Sequence, residues 1–90
     1  MSVGINILLN FLDNQMQSLD KFDISVLDIH HKEKIDQPSG TAKMIKQKIE
    51  SGLPKKKIKT HSLRMGGVFG EHCIMIADQN QTIKLQHTAL

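Results

Sequence analysis

The sequence predicts an α+β domain, in which a mixed, mostly antiparallel sheet of about four strands is covered by helices on one face. Three observations lead to this fold class. Two stretches before Pro54 repeat apolar side chains at helical spacing, a short β-branched run lies between them, and three strand-like segments follow. This order of elements suits a single sheet with both helices on the same side.

The first helix is predicted over Ser2–Asp20. Its apolar residues recur every three or four positions, which places them on one helix face. They are Ile5, Leu8, Leu9, Leu12, Met16 and Leu19. Ser2 can cap the amino end, and Asp20-Lys21 marks the exit. The opposite face carries Asn, Asp and Gln rather than the Lys and Arg of a membrane-surface helix, so the apolar face is expected to point into the core.

The segment Asp23–Ile29 is rich in β-branched residues and predicts the first strand. A polar stretch from His30 to Gln37 follows it. Pro38 disfavours helical geometry at Gln37, so the next helix is expected to begin after the proline.

The second helix is predicted to follow Ser39, which is a candidate cap. Its apolar stripe consists of Ala42, Ile45 and Ile49. Gly52 favours the end of this helix, and Pro54 prevents the helix from resuming.

The remainder of the chain predicts three strands, over Ile58–Met65, His72–Ala77 and Thr82–Ala89. Gly66-Gly67 ends the first of them, and a polar turn joins the other two. In the last strand, Ile, Leu, His and Ala alternate with Thr, Lys and Gln. This hairpin pattern indicates an antiparallel sheet with one side facing solvent or a partner.

The composition limits the classes of function. Hydrophobic residues make up 39% of the chain and charged residues 23%, as in an ordinary folded domain. Trp and Tyr are absent, so the core must be aliphatic and an aromatic platform for nucleic-acid bases is not expected. The single cysteine, Cys73, excludes an internal disulfide and any CxxC motif, which fits the reducing cytoplasm.

The charge pattern does not indicate a polyanion or a membrane as partner. The net charge is +3, and most of the excess lies in Lys55–Lys57 with Lys59, as is typical of a solvated loop. No stretch of apolar residues is long enough to span a bilayer, so no membrane contact is expected. The five histidines show no metal-binding spacing, and no metal is expected.

Several residues outside the chemistry-bearing segment are expected to be structural. His61, His72 and His87 fall on predicted strands and are interpreted as residues of the sheet faces. Cys73 is expected to be a buried, unreactive thiol. The methionines expected to fill the core are Met44, Met65 and Met75.

The polar stretch after the first strand contains groups suited to proton transfer. His30 and His31 are adjacent at the end of a strand, so their rings point to different sides. Histidine is the side chain most easily tuned to exchange a proton near neutral pH, and Lys34 adds a fixed positive charge nearby. Taken alone, however, a histidine pair in a loop is usually just solvated.

The start of the second helix is suited to binding an anion. Free amides and the positive end of the helix dipole face outward at Ser39, Gly40 and Thr41, where they can bind carboxylate or phosphate. Gly40 lets a ligand approach the backbone because it has no Cβ. This start can also be a simple cap, but together with the histidines and Lys34 it predicts a site for a small acidic substrate that needs a proton donor.

The run His30–Ala42 resembles the signature of the dihydrodipicolinate reductase family. The family pattern is His-His-x-x-Lys-x-Asp-x-Pro-Ser-Gly-Thr-Ala, and every fixed position is met. Ser2–Asn6 resembles the entry into the family's second domain, and Arg64–His72 resembles its Arg-x-Gly-x-x-x-Gly-Glu-His segment. The resemblance spans nearly the whole chain.

The resemblance implies a role for each residue of the site. His30 is expected to be the acid/base residue that protonates the substrate, and Lys34 a second proton donor that helps to neutralise the substrate. The residues expected to bind substrate are His31, Gly40 and Thr41. Ser39 is expected to be the helix cap near the site.

The resemblance also implies an activity and a setting. The family transfers a hydride from NADPH or NADH to 4-hydroxy-tetrahydrodipicolinate, in the cytoplasmic biosynthesis of diaminopimelate and lysine. Its Rossmann domain binds the nucleotide, and its second domain binds the small dicarboxylic substrate and forms a tetramer through its sheets. Residues 1–90 are therefore expected to be the substrate-binding and oligomerisation domain, with no nucleic-acid or membrane partner.

The chain departs from the family pattern in three places. No Gly-x-Gly-x-x-Gly unit between a strand and a helix is present, so the Rossmann domain is expected to be missing. The short segment Leu53–Lys57 replaces a longer insert, and the sequence ends at Leu90, before an expected arginine and a final helix. The isolated domain is expected to be inactive as a reductase, and the alternative is a non-catalytic, self-associating domain derived from the same family.

Overall fold

The amino-terminal helix packs its apolar stripe into the core. A computed structural model describes residues 2–90; Met1, which the predicted domain includes, lies outside them. Helix α1 spans Val3–Gln15, and the Ser2 hydroxyl caps it by accepting from the Ile5 amide. All six predicted stripe residues are buried. The last turn is tighter than predicted, because Met16–Leu19 form a 3₁₀ helix before the chain turns towards the sheet.

The sheet has four strands in the order β2-β1-β3-β4. The bounds are β1 Asp23–His30, β2 Lys59–Arg64, β3 Glu71–Ala77 and β4 Thr82–Thr88. Strands β1 and β2 are parallel, whereas β1 with β3 and β3 with β4 are antiparallel. The prediction of a mixed, mostly antiparallel sheet is confirmed.

Helix α2, Gly40–Gly52, forms the crossover between the two parallel strands. A parallel pair needs such a crossover, and a helix is its usual form. The Ser39 hydroxyl accepts from the Ala42 amide, so the predicted cap is confirmed, and the helix ends at Gly52 as expected. None of the helices within residues 2–90 has the length and apolar character needed to span a bilayer.

The helices cover one face of the sheet, and the alternation along the strands shows which residues face them. In β1 every second residue is buried, beginning at Ile24 and ending at His30. The buried residues of this face are aliphatic at one end, with Ile24, Val26 and Ile76, and polar at the other. The polar end places Asp28 of β1, which is paired with His72 of β3, beside the start of α2.

The other face of the sheet is open to solvent in this single chain. Some residues that the sequence predicts to be in the core are therefore exposed. Met75 is 38% exposed and Met65 54%, so the prediction that they fill the core is wrong. Met75 has the strand parity of the open face, and Met65 follows the end of β2. Cys73 is half-buried on the open face rather than enclosed, whereas Met44 packs against the core as expected.

Candidate active site

The centre of the polar end is the carboxylate of Asp28, which has no exposed surface. Its Oδ1 accepts from Arg64 Nη1 at 2.7 Å and lies 2.9 Å from His30 Nδ1. Its Oδ2 accepts from the Ser62 hydroxyl at 2.9 Å and from the Ser39 amide at 3.3 Å. The parallel register of β1 and β2 pairs Asp28 with Ser62 and His30 with Arg64, and this pairing brings the four side chains together.

Opposing effects set the protonation of Asp28. Burial raises the pKa of this carboxyl, but hydrogen bonds from Ser62, Arg64 and the Ser39 amide, together with the contact to His30, lower it more. The net pKa lies below the ordinary value for aspartate. Asp28 is therefore ionised at neutral pH and forms a buried ion pair with Arg64.

His30 is held with one ring nitrogen inside and the other towards the surface. Only 8% of the residue is exposed, and Nδ1 faces Asp28. Nε2 makes no hydrogen bond with residues 2–90, and it is not fully enclosed by them. A Cβ at Gly70 would lie only 3.2 Å from Nε2, so glycine at this position leaves the space beside the ring clear.

Two further histidine rings lie next to His30 in a row, the first edge-on to it and the second stacked on the first. The ring of His72 on β3 lies 5.3 Å from that of His30, and the ring of His87 on β4 lies 5.9 Å from that of His72. Neither ring nitrogen of His72 has a partner within residues 2–90. Burial, and then the electrostatic interactions with His30 and His87, lower the pKa of His72 to about 4. His72 is therefore neutral at physiological pH, and the sequence did not reveal this cluster.

The loop after β1 carries His31 and Lys34. The Lys34 ammonium lies 3.0 Å from the Asp36 carboxylate, and this contact is the main reason that the pKa of Asp36 is lowered. Arg64 Nη2 donates to the Asp36 carbonyl at 2.6 Å and holds the loop against β2. The His31 ring is half-buried and makes no hydrogen bond with residues 2–90.

The start of α2 presents amides that the helix does not use. The Ser39 amide donates to Asp28, and the Ala42 amide donates to the Ser39 hydroxyl. Those of Gly40 and Thr41 donate to no atom of residues 2–90. A Cβ at Gly40 would meet nothing within 4 Å, so the two unpaired amides lie next to open space, as an anion-binding helix start requires.

The structure joins most of the residues that the sequence singled out. A single carboxylate, that of Asp28, contacts both His30 and the Ser39 amide, so the histidine and the helix start share one site. The sequence reasoning did not assign the contacts of Asp28, Arg64 or Ser62. Strand parity was a usable signal for Asp28, because residues two apart on a strand share a face. The partners from β2 depend on the sheet register, which residue spacing does not give.

The described residues do not form a metal centre. Within residues 2–90 no three or more histidine, cysteine, aspartate or glutamate side chains are grouped so that they could hold a metal ion. The carboxylate of Asp28 is instead occupied by hydrogen-bond donors.

The fold and the site define a class of protein, namely an α+β domain in which a buried carboxylate–histidine pair meets the open start of a helix at one end of the sheet. The family model described as "Dihydrodipicolinate reductase, C-terminus" matches residues 4–90. The chain therefore belongs to the dihydrodipicolinate reductase family, and the resemblance noted in the sequence is confirmed.

Curated relatives named 4-hydroxy-tetrahydrodipicolinate reductase match the whole chain. The protein of Thermosipho africanus is 36% identical over 89 residues, which cover 99% of this chain and 39% of the relative. The protein of Rickettsia canadensis is 40% identical over 103 residues, which cover 100% of this chain and 43% of the relative. The chain thus spans about two fifths of the length of these relatives.

The two alignments also bear on the short loop at Leu53–Lys57. The Rickettsia alignment runs over 103 positions, more than the 90 residues of this chain, so that relative carries extra residues. The Thermosipho alignment covers 99% of the chain in 89 positions and needs no such insertion. A connection as short as the one seen here is therefore compatible with a relative that carries the reductase name.

A solved structure shares the fold. The dipicolinate-bound dihydrodipicolinate reductase of Paenisporosarcina sp. TG-14 superposes with a TM-score of 0.85 at 23% sequence identity. The match covers 98% of this chain and 40% of the other. The α+β architecture is thereby confirmed.

Proposed function

We propose that this domain binds the cyclic dicarboxylic substrate of a 4-hydroxy-tetrahydrodipicolinate reductase and supplies the groups that protonate it. The observation that carries the proposal is the single Asp28 carboxylate that touches both His30 and the start of α2. It brings a proton-exchanging imidazole next to free backbone amides. The match to the reductase family and the dipicolinate bound to the solved relative support the same substrate class.

The free amides suit one carboxylate of such a substrate. Gly40 and Thr41 offer two donors at the positive end of a helix dipole, and Gly40 leaves their approach open. Lys34 provides a positive charge, which is paired with Asp36 in the ligand-free chain. A second carboxylate can take the place of Asp36 on the Lys34 ammonium, and His31 borders the same loop.

His30 is suited to the proton transfer. Its Nε2 reaches the surface without a hydrogen bond to residues 2–90, while Nδ1 is held by Asp28. As an imidazolium it gives the Nε2 proton to the substrate and becomes a neutral imidazole. Lys34 is the second proton donor in the proposal. General acids placed in this way typically contribute about 10²–10⁴-fold in rate.

The described residues do not fit a nicotinamide nucleotide. Within residues 2–90 the glycines at 66–70 lie between two strands rather than at a strand-to-helix turn that cradles a pyrophosphate. In the proposal NADPH or NADH supplies the hydride from outside these residues. The chain's own contribution is to bind the dicarboxylate and to move the proton.

The open face of the sheet supports the proposal that the domain self-associates, as a tetramer in the complete enzyme. Leu63 is 46% exposed and Met75 38%, and Leu27 and Ile29 are half-buried on the same face. This observation also favours the second candidate function, a self-associating domain without catalysis. Self-association without dipicolinate binding would support that alternative.

Activity tests the proposal when the domain is joined to, or mixed with, a nucleotide-binding domain of the family. We expect NAD(P)H oxidation that depends on the dicarboxylic substrate, and a loss of about 10²-fold or more in kcat for His30→Gln and Lys34→Ala. A matched control is Lys55→Ala, since this lysine is exposed and lies in the loop after α2, away from the site. Normal turnover in His30→Gln would contradict the proposal.

A further inference from the structure

Asp28 stands out because a buried carboxylate is rare unless all its lone pairs are used. Here each oxygen has two partners, and the partners come from three different segments. Oδ1 contacts His30 at the end of β1 and Arg64 at the end of β2. Oδ2 contacts Ser62 and the backbone amide of Ser39 at the start of α2.

We propose that Asp28 is a positioning residue that fixes the tautomer and orientation of His30 and holds the His30 ring in place relative to the start of α2. The proposal deepens the proposed function, because it rests on His30 as the proton donor. Asp28 itself is enclosed and cannot touch a ligand. It acts only through the groups that it holds.

The tautomer follows from the charge of the partner. An ionised carboxylate only accepts hydrogen bonds, so a ring nitrogen 2.9 Å from Oδ1 must carry a hydrogen. Nδ1 of His30 is therefore protonated in both charge states of the ring. The proton that the ring exchanges is then the one on Nε2, the nitrogen that points towards the surface.

The orientation follows from the packing around the ring. His72 presents its ring edge-on to His30 at 5.3 Å, and Gly70 lies next to Nε2. A rotation that exchanged the two nitrogens would place Nε2 in the enclosed position and break the contact with Asp28. The hydrogen bond and the packing together select one ring position.

Arg64 and Ser39 connect the proton donor to the ligand-binding segments. Arg64 neutralises Asp28 and also holds the loop through the Asp36 carbonyl. The amide of Ser39 bonds to the same carboxylate immediately before the free amides of Gly40 and Thr41. A ligand seated on those amides is thus placed relative to His30 by one rigid group.

Imidazole ¹⁵N spectra of the unmodified chain test the tautomer directly, at a pH at which the histidines are neutral. We expect His30 to show its hydrogen on Nδ1, whereas exposed His61 shows the Nε2–H form that free histidine prefers. A neutral His30 with its hydrogen on Nε2 would overturn the proposal. The spectrum needs neither a substitution nor reductase activity, so it does not depend on the proposed reaction.

The variant Asp28→Asn tests the consequence, with Asp20→Asn as the matched control, since that carboxylate is exposed and lies outside the site. In the reconstituted enzyme we expect a loss of roughly 10²-fold in kcat with little change in KM for Asp28→Asn, and less than about threefold for Asp20→Asn. The His30 tautomer is expected to change in Asp28→Asn alone.

The outcomes separate the two proposals. If His30→Gln abolishes turnover while Asp28→Asn changes neither kcat nor the tautomer, the role of Asp28 is wrong and the proposed function stands. If His30→Gln is fully active, the proposed function fails whatever Asp28 does. If Asp28→Asn does not fold, the spectrum of the unmodified chain still decides the tautomer.

Discussion

The helix-facing side of the sheet has two ends, which carry opposite chemistry on the same strands. At one end β1 and β3 contribute the fully buried aliphatic side chains of Val26, Ile74 and Ile76. At the other end the same two strands contribute Asp28 and His72, which are equally buried but polar. Since residues two apart share a face, only the residue type distinguishes the two ends.

The two ends also differ in how burial affects stability. Burial of aliphatic groups stabilises the fold because they leave water. The cost of burying the Asp28 carboxylate is compensated by its hydrogen bonds. The ring of His72 has no such compensation within residues 2–90, and an unpartnered buried polar group costs about 1–3 kcal/mol. The polar end therefore lowers stability where the aliphatic end raises it, as is typical of a functional site.

The largest effect on stability is expected at the aliphatic end. Ile74→Ala should lower the free energy of unfolding by about 2–5 kcal/mol, because it leaves a cavity between sheet and helices. Met75→Ala, one residue along on the open face, should cost less than about 1 kcal/mol in the single chain. Urea denaturation measures both. Equal losses would contradict the assignment of the two faces.

The next effect is a loss of stability in acid that comes from the polar end. The unfolded chain protonates the His72 imidazole near pH 6.5, whereas the native chain does so only near pH 4. As the pH falls from 6.5 to 4, the unfolded chain binds a proton at His72 that the native chain does not. The free energy of unfolding should therefore drop by about 3 kcal/mol. Below this range protonation of Asp28, whose pKa is lowered in the fold, acts in the same direction.

The variant His72→Leu isolates that contribution. It should flatten the dependence between pH 6.5 and 4 and raise the stability at pH 7 by about 1 kcal/mol, because an unpartnered polar ring is replaced by an aliphatic group. Urea denaturation over a pH series gives both results. An unchanged slope in His72→Leu would show that another group causes the acid sensitivity.

A smaller effect on stability is expected from Gly70→Ala. The added methyl would lie 3.2 Å from His30 Nε2 and must push the ring by a few tenths of an ångström, at a cost of about 1 kcal/mol. We also expect several-fold weaker dipicolinate binding by calorimetry. Gly67→Ala is the matched control, since its Cβ would meet nothing within 4 Å. Equal binding by the two variants would show that the space beside Nε2 is not used.

Much of the fold could be predicted because its determinants are local. The stripe from Ile5 to Leu19, the caps at Ser2 and Ser39, and the end of α2 at Gly52 depend on residues close in sequence. The exposure of Met65 and Met75 could not be predicted, because a methionine on an open sheet face has the same sequence pattern as one in a core.

The site could be predicted only where one segment contains it. His30 and the start of α2 are close in sequence, and the family signature covers both. The contacts of Asp28 with Arg64, and of His30 with His72, depend on the order β2-β1-β3-β4 and on its register. Neither periodicity nor composition determines that order, so these partners emerged only from the structure.

A titration of the chain with dipicolinate, followed by ¹H–¹⁵N spectra of the amides and imidazoles, tests the binding site most directly. The account predicts saturable shifts at the Gly40 and Thr41 amides and at the His30 ring, with the lysine loop Lys55–Lys57 unchanged. Binding that shifts only this loop, or no saturable binding at all, would contradict it.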